Sequence, residues 1–147
     1  MSTPMTTLAQ VHAMLPGSQL IHADTESARE IVISRIGSDS RQIQSGELFV
    51  ALSGDRFDAH DFLGDVVTAG ASAELISHKE RCPTNLPAVC VRDVKQGLGE
   101  LAKAWRAQFS IPVALVTGSN GKTTVKEMIA SIFKAAAGEE HTLVTKG

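Results

Sequence analysis

A chain of 147 residues, 43% of them hydrophobic, is long enough to bury one core, or one core and a piece of a second. Its 14 Lys and Arg against 16 Asp and Glu leave a net charge of -2, mixed along the chain, which disfavours nucleic-acid binding through a concentrated basic surface. No apolar run nears the roughly 20 residues of a membrane helix, the opening MSTPMTTLAQ has no signal-peptide pattern, and Cys82 and Cys90 lack metal-ligand spacing; a cytoplasmic protein with reduced thiols and no membrane insertion is expected.

In chain order, Leu8, Val11 and Leu15 fall at i, i+3 and i+7 and Pro16-Gly17 follows, which predicts a short opening helix. Ile31 to Ile36 and Leu48 to Leu52 are apolar runs of strand length joined by a polar turn that includes Asp39, Ser40 and Ser45-Gly46. Asp58 is placed to cap a helix with Phe62, Val66 and Ala69 inside and Gly70 ending it. Strands at Ala73 to Ser77 and Ala88 to Arg92 come next. The second leads into a helix carrying Val94, Leu98, Leu101, Ala102, Trp105 and Phe109 on one side, with Trp105 expected in the core.

A strand at Val113 to Val116 then enters a glycine-rich turn, after which Val125, Met128, Ile129, Ile132 and Phe133 form the stripe of a helix lying on a sheet. His141 to Gly147 is read as a further strand. The alternation of strands and helices predicts an α/β fold with a largely parallel sheet. Residues 1–109 form a first domain and residues 110–147 begin a second that needs more strands to complete it.

The strongest chemical signal is Thr117-Gly118-Ser119-Asn120-Gly121-Lys122-Thr123-Thr124, set between strand and helix as a phosphate-binding loop requires. Gly118 and Gly121 allow a tight turn whose backbone N–H groups reach phosphate oxygens, and the following helix adds the positive end of its dipole. Ser119, Asn120 and Thr124 complete the ATP-binding stretch. Lys122 would reach the β- and γ-phosphates as the catalytic cation, and the Thr123 hydroxyl would ligate Mg²⁺. The bland alternative is a glycine-rich loop with a solvated lysine. Val116 stands where the common phosphate-loop pattern has its first glycine, and the compressed form T-G-x-N-G-K-T resembles the loop of the Mur ligase and folylpolyglutamate synthase superfamily.

Upstream, Asp39-Ser40-Arg41, then SGELFVAL from Ser45 to Leu52, then GDRFDAHDF from Gly54 to Phe62 resemble, with their spacing, the UDP-binding domain shared by the MurE and MurF ligases. The likeness runs from about Leu8 to the last residue. GDRFDAHDF and Val125-Lys126-Glu127-Met128 are closer to the MurF type. It implies an N-terminal UDP-sugar-binding α/β domain followed by the start of a parallel-sheet ATP-binding domain. By the same resemblance Ser38 and Ser40 contact the uracil end of the UDP-sugar, and Asp55, Arg56 and Phe57 line its pocket. Serine hydroxyls suit the polar edges of uracil, Arg56 can fork onto a phosphate and Phe57 offers a face for a ring. His60 is either a substrate contact or a helix-start residue bonding the adjacent backbone. Asp39 and Arg41 read better as a turn cap and surface ion pair. The remaining histidines show no ligand spacing.

The resemblance further implies ATP and Mg²⁺ as cofactors, a monomer when complete, and ATP-driven joining of D-alanyl-D-alanine to UDP-N-acetylmuramoyl-tripeptide in peptidoglycan synthesis. Three alternatives remain. A MurE-type ligase would add the third amino acid by the same chemistry, and an unrelated phosphate-loop kinase or GTPase would have no use for the stretch from Ser38 to Phe57. A binding module without turnover is the third, because no acidic Mg²⁺ ligand, adenine pocket or acceptor domain follows the loop.

Overall fold

The computed structural model describes residues 4–54, 57–82 and 85–145. The chain divides into two compact units, Met1–Phe109 and Ser110–Gly147.

In the first unit, β1 (Thr6–Thr7) runs into α1 (Leu8–Ala13), which opens on a capping box in which Thr7 and Gln10 bond each other's backbone. Next come β2 (Gln19–Ile21), α2 (Ser27–Glu30), β3 (Val32–Ile33), β4 (Arg35–Gly37) and β5 (Glu47–Val50). A small hairpin of β6 (Ser53–Gly54) and β7 (Phe57–Asp58) leads through a 3₁₀ turn, Ala59–Phe62, into α3 (Leu63–Thr68). The unit closes with β8 (Ala73–Ile76), β9 (Ala88–Cys90) and α4 (Val94–Arg106). Gly70 ends α3 at φ 85, as its position predicts.

The main sheet has the order β2-β9-β8-β5-β4. Strands β4, β5, β8 and β9 are parallel and β2 joins β9 antiparallel at the edge. All four residues of β5 and of β8 are buried, as expected for parallel strands covered on both faces. The two-residue alternation of a strand sorts them. Leu48, Val50, Ala73, Leu75 and Val89 face one core with Leu8, Val11, Leu15, Val94 and Leu101, while Phe49, Ile76 and Ala88 face another with Ile43, Leu63, Val66 and Leu86. Each large side chain so buried contributes about 1.5 to 3 kcal/mol.

Several expectations change. The run from Ile31 to Ile36 splits at Ser34, whose N–H and hydroxyl both donate to the Gly46 carbonyl (2.8 and 2.9 Å), so β3 pairs with β1 and β4 with β5. Because β4 and β5 are parallel, residues 38–46 form a crossover rather than a reversing turn. Trp105 is only half-buried and packs edge-on against Phe109 at 5.6 Å. The antiparallel strand β2 was not anticipated.

The second unit carries one helix, α5 (Lys122–Ala137). Neither Val113 to Val116 nor the described residues 141–145 form a strand; Lys146 and Gly147 lie outside the described residues. Val113, Leu115, Met128 and Ile132 are exposed. A strand exists only through pairing with a neighbour, and no strand forms among the described residues of this unit. Here the expected parallel sheet is not observed.

Candidate functional site

In open α/β sheets ligands gather beyond the carboxyl ends of the parallel strands, and this is where the expected pocket residues lie. Ser38 follows β4 directly, and the β6–β7 hairpin follows β5. They border a cleft of about 580 Å³ lined by Ser38, Asp39, Ser40, Arg41, Phe57, Phe62 and Asp65. Ser38, Ser40 and Phe57 are thus brought together. Asp55 and Arg56 lie outside the described residues.

Phe57 is 54% exposed although it is a large apolar ring. Its ring stacks on Phe62 with centroids 5.4 Å apart and an interplanar angle of 19°, which fixes its plane. Arg41 grips Asp39 in a two-point fork, Nε to Oδ1 at 2.9 Å and a terminal amine to Oδ2 at 2.8 Å. The Arg41 side chain, followed by its backbone N–H, brings the Asp39 carboxyl down to about 2. The pair is therefore both the expected turn cap and part of the cleft wall.

His60 does not face the cleft as an open contact. It is 4% exposed, its Nε2 accepts the Ser77 backbone N–H at 3.1 Å, and its Nδ1 lies 2.7 Å from Asp58 Oδ1. Since Nε2 accepts, Nδ1 carries the hydrogen and donates to Asp58. Asp58 also receives the Ser53 hydroxyl (2.7 Å), the His60 backbone N–H (3.0 Å) and an Arg81 amine (2.5 Å). Desolvation opposes its charge, but the bonds from the His60 backbone, Ser53, the His60 ring and Arg81 outweigh it and hold the carboxyl well below the usual range. A second Arg81 amine bonds Asp61. Sequence reading missed that Phe62 and Asp65 line the cleft and that Arg81 holds Asp58 and Asp61. Phe62 sits inside the GDRFDAHDF signal, whereas Arg81 carries no local signal at all.

The second unit holds the phosphate loop. Gly121 caps α5 in the left-handed region (φ 72) and Gly118 has φ 150, conformations that L side chains rarely adopt. The first helical bond runs from the Val125 N–H to the Gly121 carbonyl (3.0 Å), so the N–H groups of Lys122, Thr123 and Thr124 precede the helical ladder and point along its positive end. The Lys122 ammonium bends back to the Gly118 carbonyl at 2.5 Å and lies 3.5 Å from that of Ser119. Ser119, Asn120, Thr123 and Thr124 are exposed around it. This donor set, backbone N–H groups with one cation and the exposed hydroxyls of Ser119, Thr123 and Thr124, fits a polyphosphate with Mg²⁺, whose other ligands would be phosphate oxygens and water.

A hollow of about 440 Å³ also opens on the apolar side of α5, lined by Ile111, Ile129, Phe133 and Val144 among others. It includes no residue from Thr117 to Thr124 and is the bare side of an amphipathic helix. Among the described residues there is no cluster of three metal-ligating side chains, and no helix long and apolar enough to cross a membrane.

With an open parallel sheet in one unit and a glycine loop capping a helix in the other, the chain belongs to the Mur ligase family, a family of ATP-dependent ligases. The family model for the Mur ligase catalytic domain matches residues 32–114 and that for the Mur ligase middle domain matches residues 116–147. Its MurF-type character shows in its relatives. The UDP-N-acetylmuramoyl-tripeptide–D-alanyl-D-alanine ligase of Haemophilus influenzae is 40% identical over 131 residues, 88% of this chain and 28% of that protein. A crystal structure of MurF from Acinetobacter baumannii superposes with a TM-score of 0.77 at 34% identity, covering 90% of this chain and 28% of that one. MurF of Thermotoga maritima in complex with ADP gives a TM-score of 0.62 at 35% identity over 69% of this chain and 23% of that one. A UDP-N-acetylmuramoyl-L-alanyl-D-glutamate–2,6-diaminopimelate ligase from Gloeobacter violaceus is 34% identical over 134 residues, 87% of this chain and 26% of that protein. The chain thus spans about a quarter of the length of the relatives it matches.

Proposed function

We propose that this chain supplies the UDP-sugar cleft and the ATP phosphate loop of a ligase that joins D-alanyl-D-alanine to UDP-N-acetylmuramoyl-tripeptide in peptidoglycan precursor synthesis. The observation that carries the reading is the meeting of Ser38, Ser40 and an exposed Phe57 in one cleft. The higher identity to a D-alanyl-D-alanine ligase than to a diaminopimelate ligase, 40% against 34%, favours the MurF type over the MurE type.

In this reading the uracil ring lies on Phe57 while serine hydroxyls meet its polar edges. Arg56 would meet the diphosphate. In the other unit the loop N–H groups and Lys122 hold the β- and γ-phosphates of ATP, and Thr123 would hold Mg²⁺, which supplies charge neutralisation when bound.

The chemistry follows from the substrate. A carboxylate is a poor electrophile because its oxygen leaves badly. The carboxylate oxygen attacks the γ-phosphorus, the bond to the β-phosphate oxygen breaks, and ADP leaves with Lys122 offsetting the charge on the transferring group. The free amine of D-alanyl-D-alanine then attacks the acyl carbon. Phosphate departs and the amine's extra proton passes to a base. Nothing covalent is asked of the chain, whose part is to hold reactants in line.

Titration of the chain with UDP, followed by amide chemical shifts, tests the cleft. Shifts at Ser38, Ser40 and Phe57 are expected, and shifts confined to Gly118–Thr124 would overturn the assignment. Product analysis of the full-length ligase with D-alanyl-D-alanine or diaminopimelate as acceptor separates the two ligase types.

A further inference from the structure

The geometry points to Asp58, His60 and Arg81 as positioning residues that set the Phe57 ring in the cleft by locking the β6–β7 hairpin to the carboxyl end of β8. The consequence for ligand binding rests on the nucleotide reading of the cleft; the lock itself does not.

Phe57 needs such a lock. Each strand of its hairpin has two residues, too few to hold themselves in water, and the ring buries less than half of its surface. Its immediate neighbour Asp58 carries the fastening. Across the hairpin it accepts the hydroxyl of its register partner Ser53 at 2.7 Å. Toward the sheet it holds His60, whose other nitrogen takes the backbone N–H of Ser77, the residue after β8, at 3.1 Å. Toward the turn Lys79–Arg81 it holds Arg81, 23 residues away, which forks to Asp58 and to Asp61 beside Phe62.

Both partners of the ring stack, Phe57 and Phe62, are therefore flanked by carboxylates gripped by one guanidinium. Arginine alone has the planar fork this needs; lysine offers a single mobile charge. The imidazole of His78 packs edge-on to His60 at 5.0 Å and pairs with Glu80 at 3.4 Å, closing the far side of the network. None of Asp58, His60 or Arg81 lines the cleft, so their effect on a ligand passes through Phe57.

The test compares the wild-type chain with Asp58→Asn, Arg81→Met and Arg81→Lys by nuclear Overhauser contacts between Phe57 and Phe62 and by UDP titration. Asp58→Asn and Arg81→Met are expected to lose the ring contacts and weaken UDP at least fivefold while the amide shifts of β5 and β8 stay in place. Arg81→Lys should fall between them and wild type. Unchanged ring contacts and affinity in the folded variants would overturn the proposal, as would loss of the β5 and β8 shifts, which would make the network a general support of the fold. A wild-type chain that ignores UDP would sink the nucleotide reading, and the ring contacts would still decide the lock.

Discussion

The Lys122 ammonium donates to the carbonyl of Gly118 at 2.5 Å, so the cation sits folded over the loop whose N–H groups it would share with a phosphate. A bound phosphate would draw the lysine off that carbonyl. Lys122→Ala is expected to weaken ATP binding tenfold or more and to leave UDP shifts in the first unit unchanged. Isothermal titration with each nucleotide reads both effects, and an equal loss for UDP would refute the division of labour between the units.

Phe57 gives the second expectation. A base stacked on an aromatic ring gains roughly 1 to 3 kcal/mol, so Phe57→Ala should lower UDP affinity about tenfold or more. The ring is more than half exposed, so the melting temperature should move by no more than a few degrees. A variant that binds UDP as well as wild type would take the ring out of the site.

Glu74 lies fully buried on β8, with the Cys82 thiol 3.6 Å from one of its oxygens. Burial pushes its carboxyl from 4.5 up to about 7. Because the folded value is the higher one, folding favours the protonated acid. That stability is complete below pH about 4.5 and falls away as pH rises through 7, by roughly 3 kcal/mol in all. Urea unfolding at pH 5 and pH 8.5 should therefore show Glu74→Gln gaining on wild type at the higher pH. Parallel pH profiles would show that the carboxyl is not perturbed.

Cys82 responds to the same neighbourhood. Desolvation first, and the nearby Glu74 carboxylate second, push its thiol up to about 12. Since only the thiolate reacts, alkylation of Cys82 at pH 8 should run at least tenfold slower in the folded chain than in urea, as peptide mass mapping over time would reveal. Equal rates would mean that the thiol is open to solvent.

The exposed stripe of α5 leads to the last expectation. Met128, Ile132 and Val125 are 63, 64 and 45% exposed, so the helix has little burial to hold it closed. Its amides should exchange with deuterium far faster than those of β5 and β8. Equal protection would require a cover for the stripe.

Much of this was legible in the sequence because its cause is local. The glycine loop requires left-handed backbone at Gly121 whatever surrounds it, Asp58 caps the turn two residues on, and the apolar runs of β5 and β8 mark strands buried on both faces. The meeting of Ser38, Ser40 and Phe57 followed only from resemblance to a family, since no spacing rule brings residue 38 to residue 57.

Other features depend on neighbours that the sequence does not name. Ser34 breaks an apolar run because Gly46 offers a carbonyl there, and Asp58 meets Arg81 because β5 and β8 lie side by side in the sheet. His60 is drawn inward by Asp58 and Ser77, so a residue that could have touched a ligand becomes an internal strut. The run Val113 to Val116 has every local mark of a strand and forms none, because a strand's hydrogen bonds belong to a pair. The sequence by itself determined the turns, caps and apolar faces, which depend on single side chains and backbone angles; tertiary structure alone decided which strands pair, what Arg81 holds and how far Phe57 stands out, because each depends on atoms distant in the chain arriving at the same place.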